Sequence, residues 1–293
     1  MHSELGFLSG TYDQPIGGSG LRATLFASYA STRPGDELRL FDLRGKSFTF
    51  GGALRYPLVR SRETNVIARI AFTGRDSDSS NVVIDPIFSD KTRTVAAELF
   101  GNYAAPWGSL ISARVTVTQG LDILNATVRT DPNKSRATAT GQFTRMNFEL
   151  SIAQKIAGAL YLQASTAGQI SGQSLLAAEE FGLGGEQFAH AYDPSEVTGD
   201  EGVAGRIEMF YAANPAFGSV QPYAYYEIGR VRQNGVLPGE APHTSLESAG
   251  AGLRIGLNDR ISGSVEYAAP LNRPVASQGD KDGRVFFALS ASF

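Results

Sequence analysis

Hydrophobic alternation with a period of two runs through this chain from near its start to its last residue. Leu21, Ala23, Leu25, Ala27 and Tyr29 alternate with Arg22, Thr24 and Ser28, which puts apolar and polar side chains on opposite faces of an extended backbone. The pattern returns at Phe48, Phe50, Leu54 and Tyr56, at Val66, Ala68, Ile70 and Phe72, at Val95, Ala97 and Leu99, and at Ile111, Ala113, Val115 and Val117. Met146, Phe148, Leu150 and Ile152 against Arg145, Asn147, Glu149 and Ser151 are its clearest instance. Later come Val203, Ile207, Met209 and Tyr211, a tyrosine-rich run over 220–231, Ala249 to Leu257, Ile261 to Tyr267, and finally Val285, Phe287, Leu289, Ala291 and Phe293. This amounts to roughly thirteen strands of about nine to twelve residues, against a usual strand of about five or six.

Two architectures fit such strands. A soluble sandwich turns the apolar face inward, whereas a membrane barrel turns it to lipid and crosses the bilayer in ~9–11 residues per strand. The connections separate the two. Short links at 13–19, 57–63, 104–108, 153–156, 212–218 and 258–260 alternate with long ones at 32–45, 74–90, 120–142, 172–201, 233–245 and 271–283. Tight turns on one side and long loops on the other are the pattern of an outer-membrane barrel. The expected fold is therefore all-β, an antiparallel transmembrane β-barrel forming one domain over 1–293. Its polar face, with Arg22, Arg69, Glu98, Arg114, Arg206, Glu208, Arg254, Glu266 and Arg284, points to the lumen because lipid rejects charge.

Composition excludes several functions. The chain has no cysteine, so thiol chemistry and thiolate metal sites are out. A net charge of -3 and a pI near 5.7 leave no electrostatic footprint for nucleic acid. His2, His190 and His243 are far apart and lack metal-ligand spacing. Asp76-Ser77-Asp78-Ser79-Ser80 begins like a calcium loop, but Asn81 and Ile87 stand where glycine and glutamate are needed, so it reads as a solvated surface loop. Gly250-Ala251-Gly252 lies inside an alternating strand, where close packing is its expected role. No catalytic residue, metal or cofactor is expected, and the chain does not read as an enzyme.

The N-terminus carries no cationic and apolar leader. The first strand leads into a short link and the last ends on the same side as the short turns. The strand count is therefore odd, where single-chain bacterial barrels have even counts. The expectation is a barrel incomplete at its N-terminus, in the bacterial outer membrane, with the signal peptide missing from this chain.

The strongest local signal is the long glycine-rich stretch 179–205. It contains Phe181-Gly182-Leu183-Gly184-Gly185, then Ala189-His190-Ala191-Tyr192, then Gly199-Asp200-Glu201-Gly202 leading into a strand. A link of this length inside a compact domain is usually functional or disordered, and its aromatics argue against disorder. The stretch resembles the sixth surface loop of two-partner secretion (type Vb) transporters of the haemolysin-activator type, the ShlB/FhaC/HecB family. The resemblance extends through most of the chain.

That resemblance implies a sixteen-stranded barrel. The eight strands before the loop would be its fourth to eleventh and the five after it its last. Periplasmic POTRA domains and about three further strands would be absent here. It implies a loop folding back into the lumen, where an arginine in a Val-Arg-Gly-Tyr or Val-Arg-Gly-Phe tip pairs with an aspartate of an Asp-x-Gly strand. Here the tip reads Ala189, His190, Ala191 and Tyr192, and the strand reads Tyr225-Tyr226-Glu227-Ile228-Gly229. The expectation is that His190 and Glu227 replace the arginine–aspartate pair, a shorter base matched by a longer acid and a weaker, pH-sensitive contact. Tyr225, Glu227 and Gly229 share one face. Phe287, Leu289 and Phe293 are the expected C-terminal assembly signal for the barrel-assembly machinery. The implied function is export of a partner exoprotein such as a haemolysin or adhesin. Outer-membrane lipid would be the surroundings and nucleic acid would play no part. The alternatives are a passive diffusion pore or an inactive barrel fragment.

Overall fold

The expected number of strands is present, several of them longer than the alternation marks. The computed structural model describes residues 5–33, 43–81, 84–213, 215, 218–236, 239, 241–258 and 260–292. Eight strands precede the long loop: β1 (Leu5–Ile16), β2 (Leu21–Thr32), β3 (Arg44–Arg60), β4 (Thr64–Ser80), β5 (Phe88–Ala104), β6 (Ser109–Gly120), β7 (Thr144–Ala157) and β8 (Leu160–Ser171). Within the loop lie β9 (Phe181–Leu183) and β10 (Val197–Gly199). Five strands follow: β11 (Glu201–Tyr211), β12 (Ser219–Arg232), β13 (His243–Asn258), β14 (Ile261–Pro270) and β15 (Arg284–Ala291). The thirteen long strands form one antiparallel sheet in sequence order, and β9 and β10 pair with each other apart from it. Eight strands before the loop and five after it is the expected count.

What lies on the two faces of the sheet decides between sandwich and barrel. Leu25, Leu54, Ile70, Leu99, Val115, Ile207, Met209, Ile228 and Val265 are all exposed. A soluble sandwich buries this face. An uncovered apolar face of this extent belongs against lipid, with the charges on the other side.

Three expectations change. The strands β3, β4 and β5 are 17 residues each, well beyond the expected length. Asp76 to Ser80 is the end of β4 rather than a surface loop: Asp76 pairs in register with Phe48 and Asp78 with Lys46. The ladder there continues past the apolar belt, both faces are polar, and the hydrophobic alternation that marks a strand is gone. Asp76 faces Arg93 at 2.7 Å, a buried guanidinium lying 5.6 Å above the Phe50 ring. The stretch 179–205 is also shorter as a loop than expected, because Glu201 to Gly205 already belong to β11.

The chain divides into two compact units. One comprises Met1–Gly101, Arg114–Asn147 and Ser171–Glu180, and the other Asn102–Ala113, Phe148–Ile170 and Phe181–Phe293. The first anchors the start of the loop. Arg145 donates to the Glu179 carbonyl at 2.7 Å and meets its carboxylate at 3.0 Å. Arg136 donates to the Leu175 carbonyl at 2.8 Å and meets Glu180 at 3.0 Å. Leu175 and Leu176 are fully buried. In the second unit a core of Ala167, Leu183, Phe188, Ala191, Tyr192, Ala204, Val231 and Leu246 joins the rest of the loop to the polar face of β8 and β11–β13.

Candidate functional site

The site is built on β12, whose side chains alternate buried and exposed along most of its length. Tyr223, Tyr225, Glu227, Gly229 and Val231 lie on the face that carries the loop, while Tyr226 and Ile228 are exposed on the apolar side. Register places Tyr225 opposite Gly250 and Tyr223 opposite Gly252. The tyrosine rings lie flat across those glycines, because a Cβ at Gly252 would come within 2.6 Å of the Tyr223 hydroxyl. Close packing is therefore the role of Gly250 and Gly252. The two hydroxyls each donate to Glu266 at 2.6 Å.

The loop reaches this wall through glycines. Phe181 and Gly182 lie in β9, paired with Gly199 and Thr198 of β10. Gly184 and Gly185 follow with φ of 110° and 91°, a region open to glycine and strained for other residues. Leu183 then settles on Gly229, where a Cβ would lie 2.9 Å from both its methyl groups. Ala189 takes the left-handed conformation, φ 61°, unusual for a residue with a side chain and worth of order 1–3 kcal/mol of strain. That turn is closed by Tyr192 N–H donating to the Ala189 carbonyl at 3.0 Å, and it aims the His190 backbone at the wall.

Glu227, 0% exposed, receives the tip. The His190 N–H donates to its Oε2 at 2.8 Å, and the ring Nδ1 lies 2.7 Å from Oε1. Two wall groups share the same carboxylate: the Ser248 hydroxyl donates to Oε2 at 2.7 Å and Arg206 Nη1 to Oε1 at 3.3 Å. The His190 ring also packs 5.3 Å from Tyr225, centroid to centroid. Tyr192 buries its ring, and its hydroxyl lies 3.1 Å from the Glu247 carbonyl, 2.9 Å from Asn272 Oδ1 and 3.3 Å from the Arg273 carbonyl. Burial raises its phenol above the ordinary value. Asp193 meets Arg284 at 2.8 Å. A hydrogen bond from Ser277, then the Arg284 guanidinium, hold its carboxyl below the ordinary value. The sequence-expected residues of the loop and of β12 thus converge. Phe287 and Leu289 stand apart on β15, 86% and 78% exposed, and Phe293 lies outside the described residues.

Arg206, Ser248, Glu208 and Arg254 were not legible as members of this site. Arg206 faces Glu227 directly across the β11–β12 ladder, and Ser248 faces it across β12–β13. Only the strand register brings them there. Arg206 also binds Glu208 and stacks 4.0 Å above Tyr225. Arg254 grips Glu208 at 2.6 and 3.1 Å and stacks 3.7 Å above Tyr223. The arrangement is a wall of two arginines, three carboxylates and two tyrosines that accepts a polar loop tip.

Comparison with known proteins agrees with this picture. A family model for haemolysin secretion/activation protein ShlB/FhaC/HecB matches residues 6–255. A search of curated protein sequences finds no significant match. Among solved structures, CdiB from Escherichia coli is similar over 99% of this chain and 53% of its own, at 18% identity and a TM-score of 0.80. CdiB from Acinetobacter baumannii is similar over 99% and 50%, at 15% identity and a TM-score of 0.73. BamA from Haemophilus ducreyi lacking POTRA domains 1-3 is similar over 99% and 62%, at 10% identity and a TM-score of 0.68. The chain spans about half the length of the CdiB structures it matches, and these likenesses carry the fold, that of an outer-membrane β-barrel. With most of its length covered by the family model, the chain belongs to the haemolysin secretion/activation protein family, ShlB/FhaC/HecB.

Proposed function

We propose that this chain is the outer-membrane barrel domain of a two-partner secretion transporter, which passes one partner exoprotein across the outer membrane and carries out no covalent chemistry. The observation that carries the reading is the loop tip seated on the β12 wall, with His190 on the fully buried Glu227 in a chain of this family. A loop packed against the polar face of β8 and β11–β13 has to leave that face when cargo passes along it. His190 and Glu227 take the place of the arginine–aspartate pair, and Phe287, Leu289 and Phe293 serve as the signal read by the barrel-assembly machinery. Outer-membrane lipid covers the exposed apolar face, and nucleic acid is no partner.

The test is genetic. Deleting the gene from its own cell is expected to remove one large protein from the culture medium. The wild-type gene should restore it fully, and Glu227→Ala should restore it at least about tenfold less, in keeping with the cost of breaking a buried charged pair. An unchanged medium together with slower uptake of small solutes would replace this reading with a diffusion pore.

A further inference from the structure

Glu227 has two sets of partners, and they belong to different bodies. His190 contributes its N–H and its ring from the loop, while Ser248 and Arg206 contribute from the sheet. Arg206 also touches the loop, its Nη1 lying 3.2 and 3.4 Å from the two His190 ring nitrogens, but the wall holds it independently. Its Nη2 is held by Glu208, itself fixed by Arg254, and its guanidinium lies on the Tyr225 ring at 4.0 Å. When the tip lifts away, Arg206 and Ser248 therefore stay against the carboxylate.

This matters because a buried charge that loses its only partner is far costlier than one whose partner remains. Where the cation sits on the loop, undocking strands a bare carboxylate inside the protein. Here the cation sits on the wall, so undocking removes the contacts of His190 with Glu227 and with Arg206 and the packing of the tip, while the carboxylate keeps its cation. We propose that Arg206 is a positioning residue that makes the loop latch releasable: it satisfies Glu227 in the undocked state and so lowers the barrier to opening. The inference concerns regulation of the docking site and rests on the reading that the tip undocks in use.

The sign of the predicted effect separates this role from a structural one. Removing a cation that touches the latch carboxylate should hold the latch more tightly shut, because the wall then offers Glu227 only the Ser248 hydroxyl. The chain has no cysteine, so Ala191→Cys, at a position 0% exposed beside the tip, gives a single thiol that a maleimide reaches only on opening. In the full chain folded in detergent micelles, with folding checked by heat-modifiable gel mobility, Arg206→Gln is expected to slow labelling by at least about tenfold, since a stranded buried charge is strongly destabilising and the Ser248 hydroxyl offsets only part of that cost. Arg206→Lys should restore a rate near wild type, and His190→Ala should speed labelling. Ser248→Ala removes the other wall donor, should also slow labelling, and provides the reading if Arg206→Gln does not fold. Labelling that is unchanged or faster in Arg206→Gln, or in Ser248→Ala where that variant provides the reading, overturns the proposal. Labelling involves no exported protein, so a failure of the transporter reading shows in the secretion experiment and a failure of this one shows here.

Discussion

At the scale of single residues, the loop is held by a few polar contacts set in a well-packed surround. Asp193 has its carboxyl held below the ordinary value by Ser277 and Arg284. A carboxylate with a depressed folded-state pKa stabilises the folded form above its unfolded value, ~3.9, and that contribution disappears as pH falls through the lower folded value. Acidification below about pH 4 is therefore expected to loosen the loop around Asp193. Hydrogen exchange of the 184–196 amides should show faster opening in that window, and Asp193→Asn should abolish the pH step. A step of equal size in Asp193→Asn would show that another group carries it. Much at this scale was legible in sequence: the resemblance of the loop tip and of one strand to those of the transporter family singled out His190, Tyr192 and Glu227. Arg206 was visible only as one more lumenal charge, because nothing in a linear sequence says which residue of β11 lies across from Glu227.

At the scale of elements, period-two alternation revealed most of the long strands, β1 and β8 being marked only by the links that bound them, and it failed where neither face meets lipid. The ends of β4 and the start of β5 are polar on both faces, so Arg75 to Ser80 reads as loop although its ladder with β3 continues. The pair β9 and β10 went unseen for a different reason: three-residue strands in a glycine-rich run carry no period to detect. Glycine in the long strands is a packing residue. With the Tyr223 ring lying over it, Gly252→Val should force that ring off β13 and cost about 1–3 kcal/mol, the range for overpacking a filled site. A lower temperature for the gel-mobility shift of the folded form would register it, and an unchanged temperature would mean the ring has room to move. Gly263, whose added Cβ would meet nothing closer than 3.1 Å, is the milder comparison.

At the scale of the molecule, a sheet whose uncovered apolar face belongs in lipid carries a loop folded against its polar face. The exposed leucines, isoleucines and valines of that sheet suit insertion in a membrane, while the docked tip carries the proposed role in transport. Both claims meet in one measurement on intact outer membranes. His190 and Ser248 donate to the same Glu227 oxygen, at 2.8 and 2.7 Å, so in the cysteine-free chain the pair His190→Cys and Ser248→Cys should be joined by a short bifunctional thiol reagent. The expected result is an efficient intramolecular cross-link in the membrane fraction, lost when either cysteine is moved to an exposed site such as Ser262. A chain found only in the soluble fraction, or a membrane-inserted chain in which these two positions never join, would contradict it.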